Sequence, residues 1–335
     1  MASGLLAAVA SPAIRRASAQ APVELKFTSY VGVGHGHHKR VLEPWAKMVS
    51  EKSGGRLKIT IYPGTLGKQA DQLQLIQNGI ADMGYFVPAL TPGRFPLTSV
   101  CELPFLFKSG KGGSQAFWAL WEKDLQKEGT AAGLKVLWTF IHPPGQLHTT
   151  KKSVTNMEDL AGLRIRTAPG VQQDATQRLG ATPVVVPFPE TYNALDRGVI
   201  DGVWFPWEAI EGIKLFEVLK HHLVVNFYTV PFIVAMNETK YAALPADLRN
   251  VLNELSGSWA AEFTGAAWDK NDEGGVEAAK KVGATISVLP DAERARWEEK
   301  TRPLETAWLD SMKAKNLPGD VVLKDLRDLI KRYDS

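Results

Sequence analysis

The sequence predicts an α/β protein of two lobes, and three observations carry that reading. Strand-like and helix-like segments alternate from residue 22 onward. The alternation starts again near Leu134, and a later strand-like run at 231–236 is placed to return to the first sheet. A chain of 335 residues suffices for about two domains with substantial cores. The β-α-β-α-β order implies parallel strands with helices on both faces. Two such lobes joined by crossing strands enclose a cleft, the favoured place for a small ligand.

The elements follow in order. Residues 23–30 alternate polar and apolar side chains and read as a strand. A helix over 38–52 has Val41, Trp45, Met48 and Val49 at helical spacing, and Ser53-Gly-Gly55 ends it. The next strand, 57–62, is turned by Pro63-Gly64. A helix over 69–78 leads into a short buried strand at 81–86. The second unit has strands at 135–140, 162–167, 182–186, 202–205 and 222–225, with helices at 170–179 and 189–197. About the last 95 residues, rich in Ala, Glu and Lys, are mostly helical. No internal repeat or low-complexity linker interrupts the order.

The first residues read as a processed segment. Gly4-Leu-Leu-Ala-Ala-Val-Ala10 is apolar, and Ala17-Ser-Ala19 or Ala19-Gln-Ala21 fits a small-residue cleavage site. No basic residue precedes the apolar run, which departs from a full signal. Removing residues 1–21 takes away Arg15 and Arg16, so 39 basic residues against 36 acidic become 37 against 36. A balance near zero gives no argument for nucleic acid as a partner. Export leads to an oxidising compartment where disulfides are possible but not required. The lone Cys101 reads as a small core residue.

Arg166 is the most informative residue. Leu163 and Ile165 alternate with Arg164 and Arg166 before Pro169-Gly170. An arginine at the carboxyl end of a strand in an open α/β unit faces the crevice where such folds bind ligands. Its planar guanidinium holds a carboxylate through two parallel hydrogen bonds. The alternative is a solvated strand-end arginine. Gly32-Val-Gly34-His-Gly36 stands between a strand and a helix, but its spacing is not that of a dinucleotide loop. Its glycines let the backbone turn near the cleft. His35, His37 and His38 lack the i, i+4 spacing of a helical zinc site, and no metal or cofactor is expected. Trp204, Phe205 and Trp207 cluster at a strand end, as ligand wall or as core, and Phe86 has the same two readings. No nucleophile elbow, P-loop or His-Glu-x-x-His is present. An α/β hydrolase assembled from scattered residues remains the alternative from another class.

Several ordered motifs resemble the solute receptors of tripartite ATP-independent periplasmic (TRAP) transporters, the DctP-type family. They are Glu51-Lys-Ser-Gly-Gly-Arg-Leu-Lys-Ile59, Tyr62-Pro-Gly-x-Leu66-Gly67 and Leu75-x-x-x-Gly79-x-Ala81-Asp82. Met157-Glu-Asp-Leu-Ala-Gly-Leu-Arg-Ile-Arg166, Glu190-x-Tyr192-x-Ala-Leu195-x-x-Gly198-x-Ile200-Asp-Gly202 and Met236-Asn-Glu-x-x-Tyr241-x-x-Leu244-Pro245 continue the match, which spans 23–310.

The resemblance implies a periplasmic binding protein with discontinuous lobes, hinge strands and a long bridging helix. Residues 22–143 with 232–271 would form one lobe, and 144–231 with 272–335 the other. Arg166 matches the family arginine that pairs with a ligand carboxylate. The partners implied are a small organic acid and the small and large membrane subunits of a TRAP permease, and no reaction is catalysed.

Three departures bear on the ligand. Gln146 stands where sialic-acid-type receptors carry a second arginine. Tyr85-Phe-Val-Pro88 replaces an acidic residue, and Phe205 an asparagine. Each lost polar group penalises a hydroxylated sugar acid. The expectation is therefore a monocarboxylate with an aromatic or apolar body, lined by Tyr30, His35, Phe86, Gln146, Trp204, Phe205, Trp207 and Tyr228. The rival ligand is a small 2-oxo or hydroxy acid, with a metal sharing its carboxylate. A sensor role, presenting ligand to a membrane kinase, is a third reading.

Overall fold

The computed structural model describes residues 21–335; the signal-like segment expected at 1–21 lies outside them except for its last residue. The strands are β1 (Val23–Ser29), β2 (Leu57–Pro63), β3 (Met83–Phe86), β4 (Leu134–Ile141), β5 (Gln146–Thr149), β6 (Arg164–Thr167), β7 (Thr182–Val185), β8 (Gly202–Phe205), β9 (His221–Val224), β10 (Pro231–Asn237) and β11 (Thr285–Val288). They form two sheets, ordered β2-β1-β3-β10-β4 and β11-β9-β5-β8-β6-β7. In the first sheet β1 runs parallel to β2 and β3, while β10 is antiparallel to β3 and β4.

The structure corrects the strand reading at three places. Residues 135–140, taken from the alternation as the start of the second unit, lie in β4 at the edge of the first sheet, beside the returning β10. β5 is all buried and so shows no alternation. β11 is a four-residue edge strand whose Val288 is exposed. Neither gives the periodic signal that marks a strand. The helix over 38–52 opens with a π turn, His38–Leu42, before Glu43–Lys52.

The helix Gly257–Lys281 spans roughly 37 Å at 1.5 Å per residue and ties the sheets together. Its two central carboxylates each cap a different helix. Asp269 accepts from the Gly110 and Lys111 N–H groups (2.6 and 2.8 Å), at the start of Gly110–Leu120 on the first sheet. Asp272 accepts from the Glu208 N–H (3.0 Å), at the start of Trp207–Gly212, which follows β8 of the second sheet. Such N–H groups have no partner inside their own helix, and the helix dipole favours a negative charge there. Close approach needs glycine. A Cβ on Gly275 would lie 2.7 Å from the Trp207 carbonyl oxygen, and one on Gly265 would strike the Gly110 backbone.

The chain also crosses between the sheets after β4 and after β9. These two connections run side by side: Gly145 N–H donates to Tyr228 O (2.8 Å) and Phe227 N–H to Gly145 O (2.9 Å). The last helix, Gly319–Tyr333, departs from the expected assignment of 272–335 to the second lobe. It packs on Gly110–Leu120, a helix of the first sheet, and Asp334 beyond it accepts from the Lys108 N–H (2.6 Å). Its buried Val322, Leu323 and Leu326 recur at the three-to-four-residue spacing of one helical face, which explains that docking.

Gly265→Ala is expected to cost about 1–3 kcal/mol by overpacking, read as a lower urea midpoint at unchanged slope. An unchanged midpoint would mean that the two helices are free to separate.

Candidate functional site

Arg166 is the third residue of the four-residue strand β6, paired in parallel register with Val203 of β8. Strand side chains alternate faces, so Arg166 and Phe205, two residues beyond Val203, share a face. The guanidinium carbon stands 4.6 Å from the Phe205 ring centroid, a cation–π geometry. Arg166 Nε–H donates to Val186 O (3.0 Å). The residue is only 7% exposed. Burial lowers its pKa to about 10, opposed by the nearby Tyr228 and Tyr30 hydroxyls, so it remains a cation at neutral pH. Among the described residues no carboxylate forms an ion pair with it. Arg164, on the opposite face, is paired instead, donating to both oxygens of Asp201 (2.9 and 2.8 Å).

Arg166 borders a cavity of about 810 Å³ between the two sheets, within the range of small-ligand sites, roughly 300–1,000 Å³. Tyr30 and Tyr85 supply one wall, Val186, Phe188 and Phe205 the other, and Trp268 of the bridging helix the floor. Burial holds His35 and His142 neutral, each with a pKa lowered to about 4. Exposed Lys68 and Glu190, half-buried Asp71 and buried Glu208 also line the cavity, and Arg166 is its buried cation, set among rings and aliphatic groups. A buried charge without a partner is costly, so this arrangement favours an anion whose body is apolar.

Tyr30, His35, Phe205 and Tyr228 line this cavity with Arg166. Phe86, Gln146, Trp204 and Trp207 do not. Alternation puts Phe86 on the face of β3 away from the cavity, against Phe95 (centroids 5.3 Å apart), and Tyr85 takes the place expected for it. Trp204 points opposite to Phe205. It lies against Phe227 and donates its indole N–H to Thr176 Oγ1 (2.9 Å). Trp207 packs on His148 and His222, with ring centroids 4.9 Å from each. Gln146 spends its amide on the crossing strands: its oxygen accepts from Val225 N–H (2.7 Å) and Asn226 N–H (2.9 Å), and its nitrogen donates to Pro144 O and Asn226 Oδ1. Tyr85 could have been found by carrying the two-residue period through β3. Trp268, Phe188 and Phe232 reach the cavity through tertiary packing and have no local signal.

The histidines expected in the 35–38 loop are engaged within the protein. His37 Nδ1 accepts from the Trp268 indole N–H (3.1 Å), and His38 Nε2 contacts Glu43 Oε1 (3.0 Å).

Residues 27–310 match the model of the DctP family, bacterial extracellular solute-binding protein family 7. The chain belongs to this family. Three solved TRAP solute-binding proteins are similar along nearly the whole chain. One, from a marine metagenome and specific for aromatic acid ligands, is in complex with 3-hydroxybenzoate. It is 33% identical, covers 94% of this chain and 100% of its own, and superposes with a TM-score of 0.90. One from Rhodoferax ferrireducens, with copurified benzoate, is 31% identical over 93% of this chain and 98% of its own, TM-score 0.89. One from Bordetella bronchiseptica, with bound mandelate, is 32% identical over 93% of this chain and 100% of its own, TM-score 0.88. This DctP-type protein is therefore a periplasmic solute receptor whose role is transport rather than catalysis.

Trp204→Ala is expected to cost about 3–5 kcal/mol of stability, as for a fully buried aromatic, measured by chemical denaturation. A loss below about 1 kcal/mol would contradict its placement in the core.

Proposed function

We propose that this receptor binds an organic monocarboxylate with an aromatic or otherwise apolar body, held by Arg166, and delivers it to the small and large membrane subunits of a TRAP permease. The observation that carries the reading is a buried guanidinium with no carboxylate partner of its own, stacked on Phe205 in an otherwise mostly uncharged cavity wall. With Nε–H held by Val186 O, the two terminal NH2 groups of the planar cation suit a carboxylate in bidentate geometry. The surrounding rings offer dispersion and edge contacts to a planar body. The aromatic acids bound by the three similar receptors point the same way. Closure then follows from ligand contacts available only when both lobes meet.

A thermal-shift screen of the mature chain tests the ligand class, since a ligand that binds only the folded state raises its melting temperature. Benzoate, 3-hydroxybenzoate and mandelate are expected to shift it, with or without chelator, and glucuronate is not. A shift confined to small 2-oxo acids and lost with chelator would overturn the aromatic reading. Arg166→Met is expected to weaken aryl acid binding by on the order of 100-fold, about 3 kcal/mol, while ligand-free stability stays level or rises because an unpaired buried charge is removed. Arg166→Lys keeps the charge but not the fork and should bind weakly. Full affinity in Arg166→Met would refute the anchor.

A further inference from the structure

The Gly32–Gly36 loop contributes nothing to the carboxylate anchor, yet it lies where the lobes meet. A Cβ built on Gly36 would lie 2.6 Å from Glu208 Oε1 and 2.8 Å from Asn271 Nδ2. Real Cβ atoms essentially never come so close, so a side chain at position 36 would push the ends of Glu208 and Asn271 aside, and the bare α-carbon of Gly36 is a socket for them. Glu208 enters it from the second lobe and Asn271 from the bridging helix. Glu208 is 2% exposed, and among the described residues neither of its oxygens finds a hydrogen-bond partner of ordinary geometry. Oε1 lies 3.1 Å from His35 Nδ1. That nitrogen accepts from the His37 backbone N–H (3.2 Å), so it presents a lone pair rather than a proton. A carboxylate oxygen facing a lone pair at this distance repels it, whereas a carboxylic acid O–H donates to it.

We propose that Glu208 is a positioning residue that closes the receptor as an uncharged carboxylic acid, seated on Gly36 and donating to His35 Nδ1, so that closure over a ligand takes up a proton at this residue. The proposal rests on the receptor reading above and adds how its closed state is held.

The balance of the groups around Glu208 favours its uncharged form. Burial is the largest influence and raises its pKa to about 8; Asp272 on the bridging helix and Glu211 on its own helix add to this, and Arg40 and the His37 backbone N–H oppose it. From the loop, His35 and His37 are held neutral by burial, and His38 is turned to Glu43. From the first sheet, Tyr30 and Tyr85 keep their hydroxyl protons, their pKa values pushed up by burial. Asp272 is itself raised to about 7 by burial, which makes it the competing source of any proton effect.

The direction of the pH dependence follows. An open cleft returns Glu208 to water and to an ordinary carboxyl pKa near 4.5. The closed-state pKa is the higher one, so the added closed-state stability is full below the open value and is lost as pH rises through about 8. His35 acts oppositely: its lowered pKa makes closure release a proton below about pH 6.5. Measurement above neutrality removes the His35 contribution and leaves Glu208 and Asp272, which the variants separate.

The test is calorimetry of benzoate binding to the mature chain at pH 7.5 in two buffers of different ionisation enthalpy. Wild type is expected to take up roughly 0.7 proton per benzoate and to bind about tenfold more tightly at pH 6.5 than at 8.5. Glu208→Gln keeps the shape and an uncharged donor; it should bind with a flat pH profile and no uptake. Gly36→Ala should weaken benzoate at least about tenfold with unchanged circular dichroism and ligand-free melting. Binding without proton uptake in wild type, or uptake lost in Asp272→Asn and kept in Glu208→Gln, overturns the proposal. If benzoate and 3-hydroxybenzoate give no heat at any pH, the aromatic reading fails by itself. X-ray scattering of ligand-free protein then decides the latch: the minor closed population of wild type should fall between pH 6.5 and 8.5 while that of Glu208→Gln does not, and identical pH dependence in the two rejects it.

Discussion

A guanidinium held out of water is the constraint on which this molecule turns. Arg166 remains charged while almost wholly buried, with one backbone carbonyl and one aromatic face as its fixed protein contacts. Isolated charges in a low-dielectric interior are destabilising by several kcal/mol. The same low dielectric strengthens any counter-charge that arrives. The wall beside it makes sense in those terms: neutral imidazoles, protonated phenols and hydrocarbon surround the arginine, while Lys68 and Glu190 stand at the exposed part of the cavity. The binding site is thus an instability of the empty protein, tolerated because large cores on both sides supply the stability.

The placement of that charge depends on sheet register. Arg166 pairs with Val203, and Ile165 with Gly202. A slip of β6 by one residue would turn Arg166 into the core and bring Ile165 to the cavity side. The neighbouring arginine guards against this. Arg164 N–H and side chain both bind Asp201, just before β8, and so pin the two strands together at the solvent edge. Two arginines flanking Ile165 on one short strand therefore divide the work, one setting register and the other facing the cavity.

Much of this was legible in the sequence, and what was not has a physical cause. Strand and helix order could be read because alternation records burial on one face. Arg166 could be read because a strand end in an α/β unit has a defined geometric meaning. The parity of flanking aromatics was blurred: Phe86 and Trp204 were expected at the cavity, although Tyr85 and Phe205 sit one residue away on the correct face. Gln146 sat at an informative position but answers the backbone needs of the crossing strands. Trp268 and Glu208 come from helices distant in sequence, and only the packing of the bridging helix brings them to the cleft. The assignment of the last helix to the second lobe failed for a similar reason, since an amphipathic face does not state which sheet it will cover.

The paired crossings behind the cavity have a mechanical consequence. Gly145 is hydrogen-bonded in both directions to Phe227 and Tyr228, and no side chain could stand at position 145 against the Tyr228 ring. Two adjacent ribbons stitched in this way resist shear and torsion but bend readily about the line joining them. The long helix Gly257–Lys281 adds a third tie away from that line. The relative motion of the lobes is thereby reduced from six degrees of freedom toward one rotation. Such a joint keeps the two halves of the site aligned through each swing, so capture needs no search over orientations when the cleft shuts.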